Sequence, residues 1–268
     1  MIEPTTSLPR LEAPGVFAEP LARGEAARWL IFAVMGFVAG QLLSVGAATI
    51  TAALLGKHDQ LSVLAKAASP PEWFILSSLL GLWVGFLAAP AFALRFGGVV
   101  RRHLGFSFRP IDLLGVPIGI ASQLIVALIY QPFIHHIHNF DAPVKRLTGA
   151  SHGGGFFWIA LFTIIGAPIA EEVFFRGLLF RGLLDLGDRM RPSSATSVWI
   201  ICSVLIDGLL FGLSHGELAQ LAGLALFGAL LAFLFLRTGR LGMSILSHAA
   251  FNGLAIAAIA VAPGRGWW

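Results

Sequence analysis

Charge is scarce in this chain: Asp, Glu, Lys and Arg together make up 12% of its 268 residues, against 57% hydrophobic residues. Ordinary soluble domains are roughly one quarter charged, so this balance excludes a soluble globular fold. Cysteine is almost missing as well. Cys202 is the only one, which excludes an internal disulfide and a cysteine-based metal site. No segment alternates apolar and polar residues over the roughly ten positions of a membrane β-strand, so a β-barrel is excluded too. There is no His-Glu-x-x-His helix of the zinc-protease kind, no internal repeat and no second, soluble domain.

What the chain does contain is apolar runs, each near the roughly 20 residues that cross hydrocarbon as a helix. Seven can be marked: Trp29–Leu55, Trp73–Leu94, Leu113–Ile134, Phe156–Leu184, Val198–Leu213, Leu218–Leu236 and Leu241–Ala262. The expected fold is all-α, a polytopic transmembrane helical bundle of about seven spans forming one domain over residues 25–268. Residues 1–24 carry Pro4, Pro9, Pro14 and Pro20 with few clustered apolar residues, and are expected to be a disordered tail. The first apolar run is too long for a signal peptide and reads as an anchor.

Cytoplasmic loops of membrane proteins hold the excess of Lys and Arg. Setting Arg176 aside, the tail and alternate loops contain Arg10, Arg23, Arg28, Arg95, Arg101, Arg102, Arg109, Arg181, Arg189, Arg191, Arg237 and Arg240. The opposite loops contain only Lys57, Lys66, Lys145, Arg146 and Arg265. The expectation is a cytoplasmic N-terminus in the plasma (inner) membrane of a prokaryote. The net charge of +4 is then a topology signal, with membrane lipid and not nucleic acid as the surrounding partner.

Three polar clusters interrupt the apolar runs: Glu171-Glu172 with Arg176, Phe211 with His215, and His248 with Asn252. An ionised group near the bilayer centre costs at least about 3 kcal/mol, so such residues are functional by default. Spans one, two, three and six contain no Asp, Glu, Lys or Arg. The segregation predicts a polar site enclosed by spans four, five and seven, with the charge-free helices facing lipid.

Helical spacing divides the acids. Glu172 and Arg176 are four residues apart on one face and can pair, whereas Glu171 points about 100° away from Glu172. Glu172 with Arg176 is thus the expected brace. Glu171, left without a cationic partner, is free to take a proton from water and return it, as a general base does. His248 and Asn252 share a face and can both donate hydrogen bonds to a developing oxyanion. Phe211, one turn before His215, can pack beneath its ring. Asp207 is either support for His215 or a bridge between helices.

In order, Glu-Glu-x-x-x-Arg, Phe-x-x-x-His and His-x-x-x-Asn resemble the CPBP intramembrane proteases, which group type II CAAX prenyl proteases with bacteriocin-processing and immunity proteins. The resemblance covers roughly Gly166 to Asn252, including Pro168 and Gly177, within a motif-bearing core of residues 156–262. It implies an endopeptidase that hydrolyses peptide bonds of membrane-associated or lipid-modified substrates. Glu171 and His215 would activate the attacking water, and His248 and Asn252 would stabilise the oxyanion. It also implies either glutamate-dependent, metal-independent catalysis or a zinc metalloprotease, for which Glu171, His215 and His248 would be the ligands.

Two rivals come from other classes. Gly212-Leu213-Ser214-His215-Gly216 matches the nucleophile pattern Gly-x-Ser-x-Gly by letter, which would make Ser214 the nucleophile of an intramembrane serine protease. That pattern needs a strand-turn-helix elbow, and here it ends a membrane helix. A non-enzymatic scaffold or immunity protein is the other rival, since family resemblance alone does not guarantee activity. His135, His136 and His138 read as a solvated interfacial patch, and Gly153-Gly154-Gly155 as a flexible loop.

Overall fold

The computed structural model describes residues 25–67, 70–96, 104–133, 154–190 and 196–261, and among them every regular element is helical. The expected tail, residues 1–24, and the patch at His135, His136 and His138 lie outside the described residues. Six helices are long and apolar enough to cross a membrane, and Val198–Ser214 is a shorter apolar helix, so the seven expected spans all have a counterpart. They are α1 (Glu25–Leu54), α3 (Glu72–Phe96), α4 (Gly115–Tyr130, entered through a 3-10 turn at Pro110–Leu114), a composite rod, α8 (Thr196–Ser214), α9 (Leu221–Thr238) and α10 (Leu241–Val261). A short α2 (Leu61–Lys66) lies between the first two spans. The rod is span four, built from α5 (Gly154–Leu161), α6 (Ala167–Glu172) and α7 (Arg181–Met190), with π-helical segments at Phe162–Gly166 and Val173–Phe180. Its first turn includes Gly154 and Gly155, so the expected loop at that glycine run is helix from Gly154 onward.

Lipid tails give helices no hydrophobic reason to associate, so close backbone approach at small residues holds such bundles together. Gly36 and Gly40 of α1 meet Gly81 and Gly85 of α3 in this way. A Cβ on Gly85 would fall on the backbone of Gly40, and one on Gly81 on the carbonyl of Leu43. Gly208 and Gly212 of α8 face Ala225 of α9, and Gly115 and Gly119 of α4 face Met243 and Ser247 of α10. Gly85→Ile is expected to destabilise the protein by about 1–3 kcal/mol in detergent unfolding. Gly46→Ala, where the added carbon meets open space, should leave the transition unmoved.

The expectation that charge-free spans only face lipid is corrected by this packing. α3 buries Trp83, Phe86 and Ala89, and α9 buries Phe227, Leu231 and Phe235. Phe86 of α3 stacks on Phe174 of the rod at 4.3 Å, and α9 reaches the polar site itself, as described below. Absence of charge did not mean absence of partners, because glycine and phenylalanine provide the contacts.

Two loops on one side of the bundle meet. Arg240, at the start of α10, donates from Nη2 to Oδ1 of Asp112 at 2.8 Å, and the Leu241 N–H donates to the Gly105 carbonyl at 2.8 Å. The segments after spans two and six therefore lie on the same face.

Candidate active site

Span four is irregular where its acids lie, and Pro168 accounts for part of this. Proline has no N–H and its ring crowds the carbonyl four residues back. In the π-helical segment before it, the Ala167 N–H bonds back to Phe162. The Thr163 carbonyl in that register would need an N–H from residue 168, which proline lacks. Asn252 of α10 supplies the donor instead, Nδ2 lying 2.9 Å from the Thr163 oxygen. The second π segment follows directly, so Glu171 and Glu172 occupy a short α-helical stretch between two π segments. Such insertions recur at functional sites.

Arg176 is the centre of the buried cluster. Nη1 donates to Glu172 Oε1 at 2.9 Å, Nη2 donates to the Gly228 carbonyl of α9 at 2.7 Å, and Nε lies 3.4 Å from Asp207 Oδ2 of α8. Its guanidinium carbon is 4.6 Å from the centroid of the Phe211 ring, within cation–π range. Glu172, Arg176 and Asp207 are all fully buried. One guanidinium thus joins the rod to α8 and α9.

His248 extends the cluster into α10. Its Nδ1 is 3.0 Å from Glu172 Oε1, the oxygen that already accepts from Arg176. An ionised carboxylate only accepts, so Nδ1 carries the proton. Nε2 then faces Glu171 Oε2 at 3.9 Å, a separation suited to one bridging atom and too long for a direct bond. Phe211 and Phe227 stand edge-on to the imidazole, with centroids at 5.5 and 5.8 Å.

The two glutamates share a partner that helical spacing did not predict. They approach opposite nitrogens of one imidazole, because the His248 ring is placed between their two directions. Glu172 does brace Arg176, and also holds His248. Asp207 pairs with Arg176 and does not support His215, which corrects one of the two readings open for it. His215 is exposed at the end of α8, its Nδ1 2.8 Å from the Phe211 carbonyl. Its ring is 4.8 Å from that of Phe211, which also touches His248. The turn after α8, with Gly216 at φ +69°, is therefore level with the interior of α10. Asn252 keeps one N–H beyond its bond to Thr163.

Among the described residues no group of three or more His, Cys, Asp or Glu side chains is placed to hold a metal. Nδ1 of His248 contacts Glu172 and Nδ1 of His215 a backbone carbonyl, so Nε2 is the nitrogen each ring has left for a ligand. Sequence reading missed the Gly228 and Thr163 carbonyls and the Phe227 wall. Only Pro168 offered a signal, since a proline within a span announces an unpaired carbonyl nearby.

A polytopic helical membrane protein with a buried glutamate–histidine–arginine cluster is the class that this fold and site define. Residues 153–254 match the family model described as type II CAAX prenyl endopeptidase, Rce1-like. That stretch carries all three motifs, and the matched model is of the family they resemble. Comparison with the curated proteins and with the solved structures gives no match.

Proposed function

We propose that this protein is an intramembrane endopeptidase acting on membrane-associated or lipid-modified peptides, with Glu171 as its general base. The observation that carries this reading is the pair of buried acids on one imidazole: Glu172 holds Nδ1–H while Glu171 Oε2 faces Nε2 at 3.9 Å. A water between Glu171 and the scissile carbonyl gives its proton to Glu171 as its oxygen bonds to the carbonyl carbon. Glu171 then passes that proton to the leaving amine when the C–N bond breaks. Nε2 of His248 accepts the water's second hydrogen and so orients its attack, and the second N–H of Asn252 donates to the oxyanion. His215 approaches from the α8 turn to orient the water.

The N-terminus is assigned to the cytoplasmic side of a prokaryotic plasma membrane on the Lys and Arg bias. Purified protein incubated with a panel of membrane-anchored peptides, prenylated and unprenylated, with and without chelator, tests the reading. Cleavage that survives the chelator is the expected result. A panel left wholly intact would favour the non-enzymatic scaffold or immunity role. Ser214→Ala should cleave at the wild-type rate, since Ser214 Oγ donates to the Phe211 carbonyl at 2.7 Å and His215 Nδ1 contacts the same carbonyl. Lost cleavage in that variant would revive the serine mechanism.

A further inference from the structure

Asp207 lies outside all three motifs, yet it is a fully buried acid in a membrane helix. Neither of its oxygens has a well-formed hydrogen bond, and Arg176 Nε lies 3.4 Å from it as an ion-pair partner. An acid there is costly, and Arg176 already has Glu172 and the Gly228 carbonyl on its two terminal nitrogens. Nε is the remaining edge of the fork, and the guanidinium is planar and rigid. An acceptor at Nε therefore sets the rotation of the whole group.

The contacts continue in one direction. Arg176 Nη1 and His248 Nδ1 meet on the same oxygen, Glu172 Oε1. A turn of the guanidinium moves that oxygen, and the oxygen decides which imidazole nitrogen holds the proton. With both carboxylates ionised, Glu172, Arg176 and Asp207 carry one negative charge in excess. With its Nδ1–H turned toward Glu172, His248 is the adjoining dipole that offsets part of it.

We infer that Asp207 is a positioning residue for the reaction, acting through Arg176 and Glu172 to hold His248 with Nε2 toward Glu171. The inference rests on the endopeptidase reading above. Asp207→Leu, close in size and without an acceptor, should lower kcat by about tenfold or more, the usual loss when a supporting partner is removed, with KM within about twofold. Asp207→Asn keeps an oxygen toward Nε but loses the charge, and should recover part of the rate. In the double variant Asp207→Asn with Glu172→Gln, the loss should equal that of Glu172→Gln alone, because both act on His248 by one route.

Losses that multiply, or wild-type kcat in folded Asp207→Leu, would overturn the inference. A second readout needs no substrate: the ring ¹⁵N resonances of His248 in micelles report its tautomer. Wild type should show the proton on Nδ1, and Asp207→Asn a mixture. An unchanged tautomer in Asp207→Asn would overturn the inference even if the endopeptidase reading held. A wild type that shows the Nδ1 proton but cleaves nothing would instead count against the endopeptidase reading alone.

Discussion

Glu171→Gln is expected to lower kcat by about 10²–10⁴-fold, the contribution of a positioned general base, with little change in KM. Glutamine keeps the shape and the buried position, 8% exposed, but cannot take a proton from water. Cleavage of a lipidated peptide, followed by mass spectrometry at several substrate concentrations, measures both constants. Glu172→Gln should lose less, because its amide oxygen can still accept from His248 Nδ1 or Arg176. Wild-type turnover in Glu171→Gln would remove Glu171 from the chemistry and point to His248 or His215 as the base.

The second large effect is on stability. Arg176→Leu leaves two fully buried carboxylates, Glu172 and Asp207, without their shared cation. Breaking a buried pair by removing one partner costs about 3–5 kcal/mol, and the Gly228 carbonyl loses a donor besides. Thermal unfolding in detergent should show a large downward shift, and activity should disappear at temperatures where wild type is intact. Arg176→Lys should recover only part of this, since one ammonium cannot span three acceptors in the plane of the fork. An Arg176→Leu protein as stable as wild type would mean that both acids are held neutral, and that the guanidinium is not what makes their burial tolerable.

Much of this was legible in the letters because burying charge in hydrocarbon is so costly that few residues can carry it without a purpose. Glu171, Glu172, Arg176 and His248 stood out by that rule, and the Glu172–Arg176 pair follows from spacing alone. The partnership of Asp207 was not legible: two helices had to be placed before its acid could be seen to face Arg176 and not His215. Gly228 and Thr163 act through main-chain carbonyls, which every residue has, so nothing in their identities marks them. That Glu171 and Glu172 reach the two nitrogens of one ring depends on where α10 places His248, which spacing within span four does not show. The glycine contacts between α1 and α3 hid for the opposite reason, since glycine is common in membrane helices whether or not it packs.

The bond from Asn252 to Thr163 repairs, on one helix, a deficit created by a proline on another. Together with Arg176 on the Gly228 carbonyl and Glu172 on His248, it fastens the rod to α9 and α10 by three polar links, the latter two buried. Each of those links would have to be broken in a medium with no water to replace it. His215, by contrast, is tied by Nδ1 to its own helix. A peptide that reaches Glu171 thus meets two kinds of wall: one cross-linked and costly to part, the other ending in an exposed histidine whose turn can yield without breaking a bond between helices.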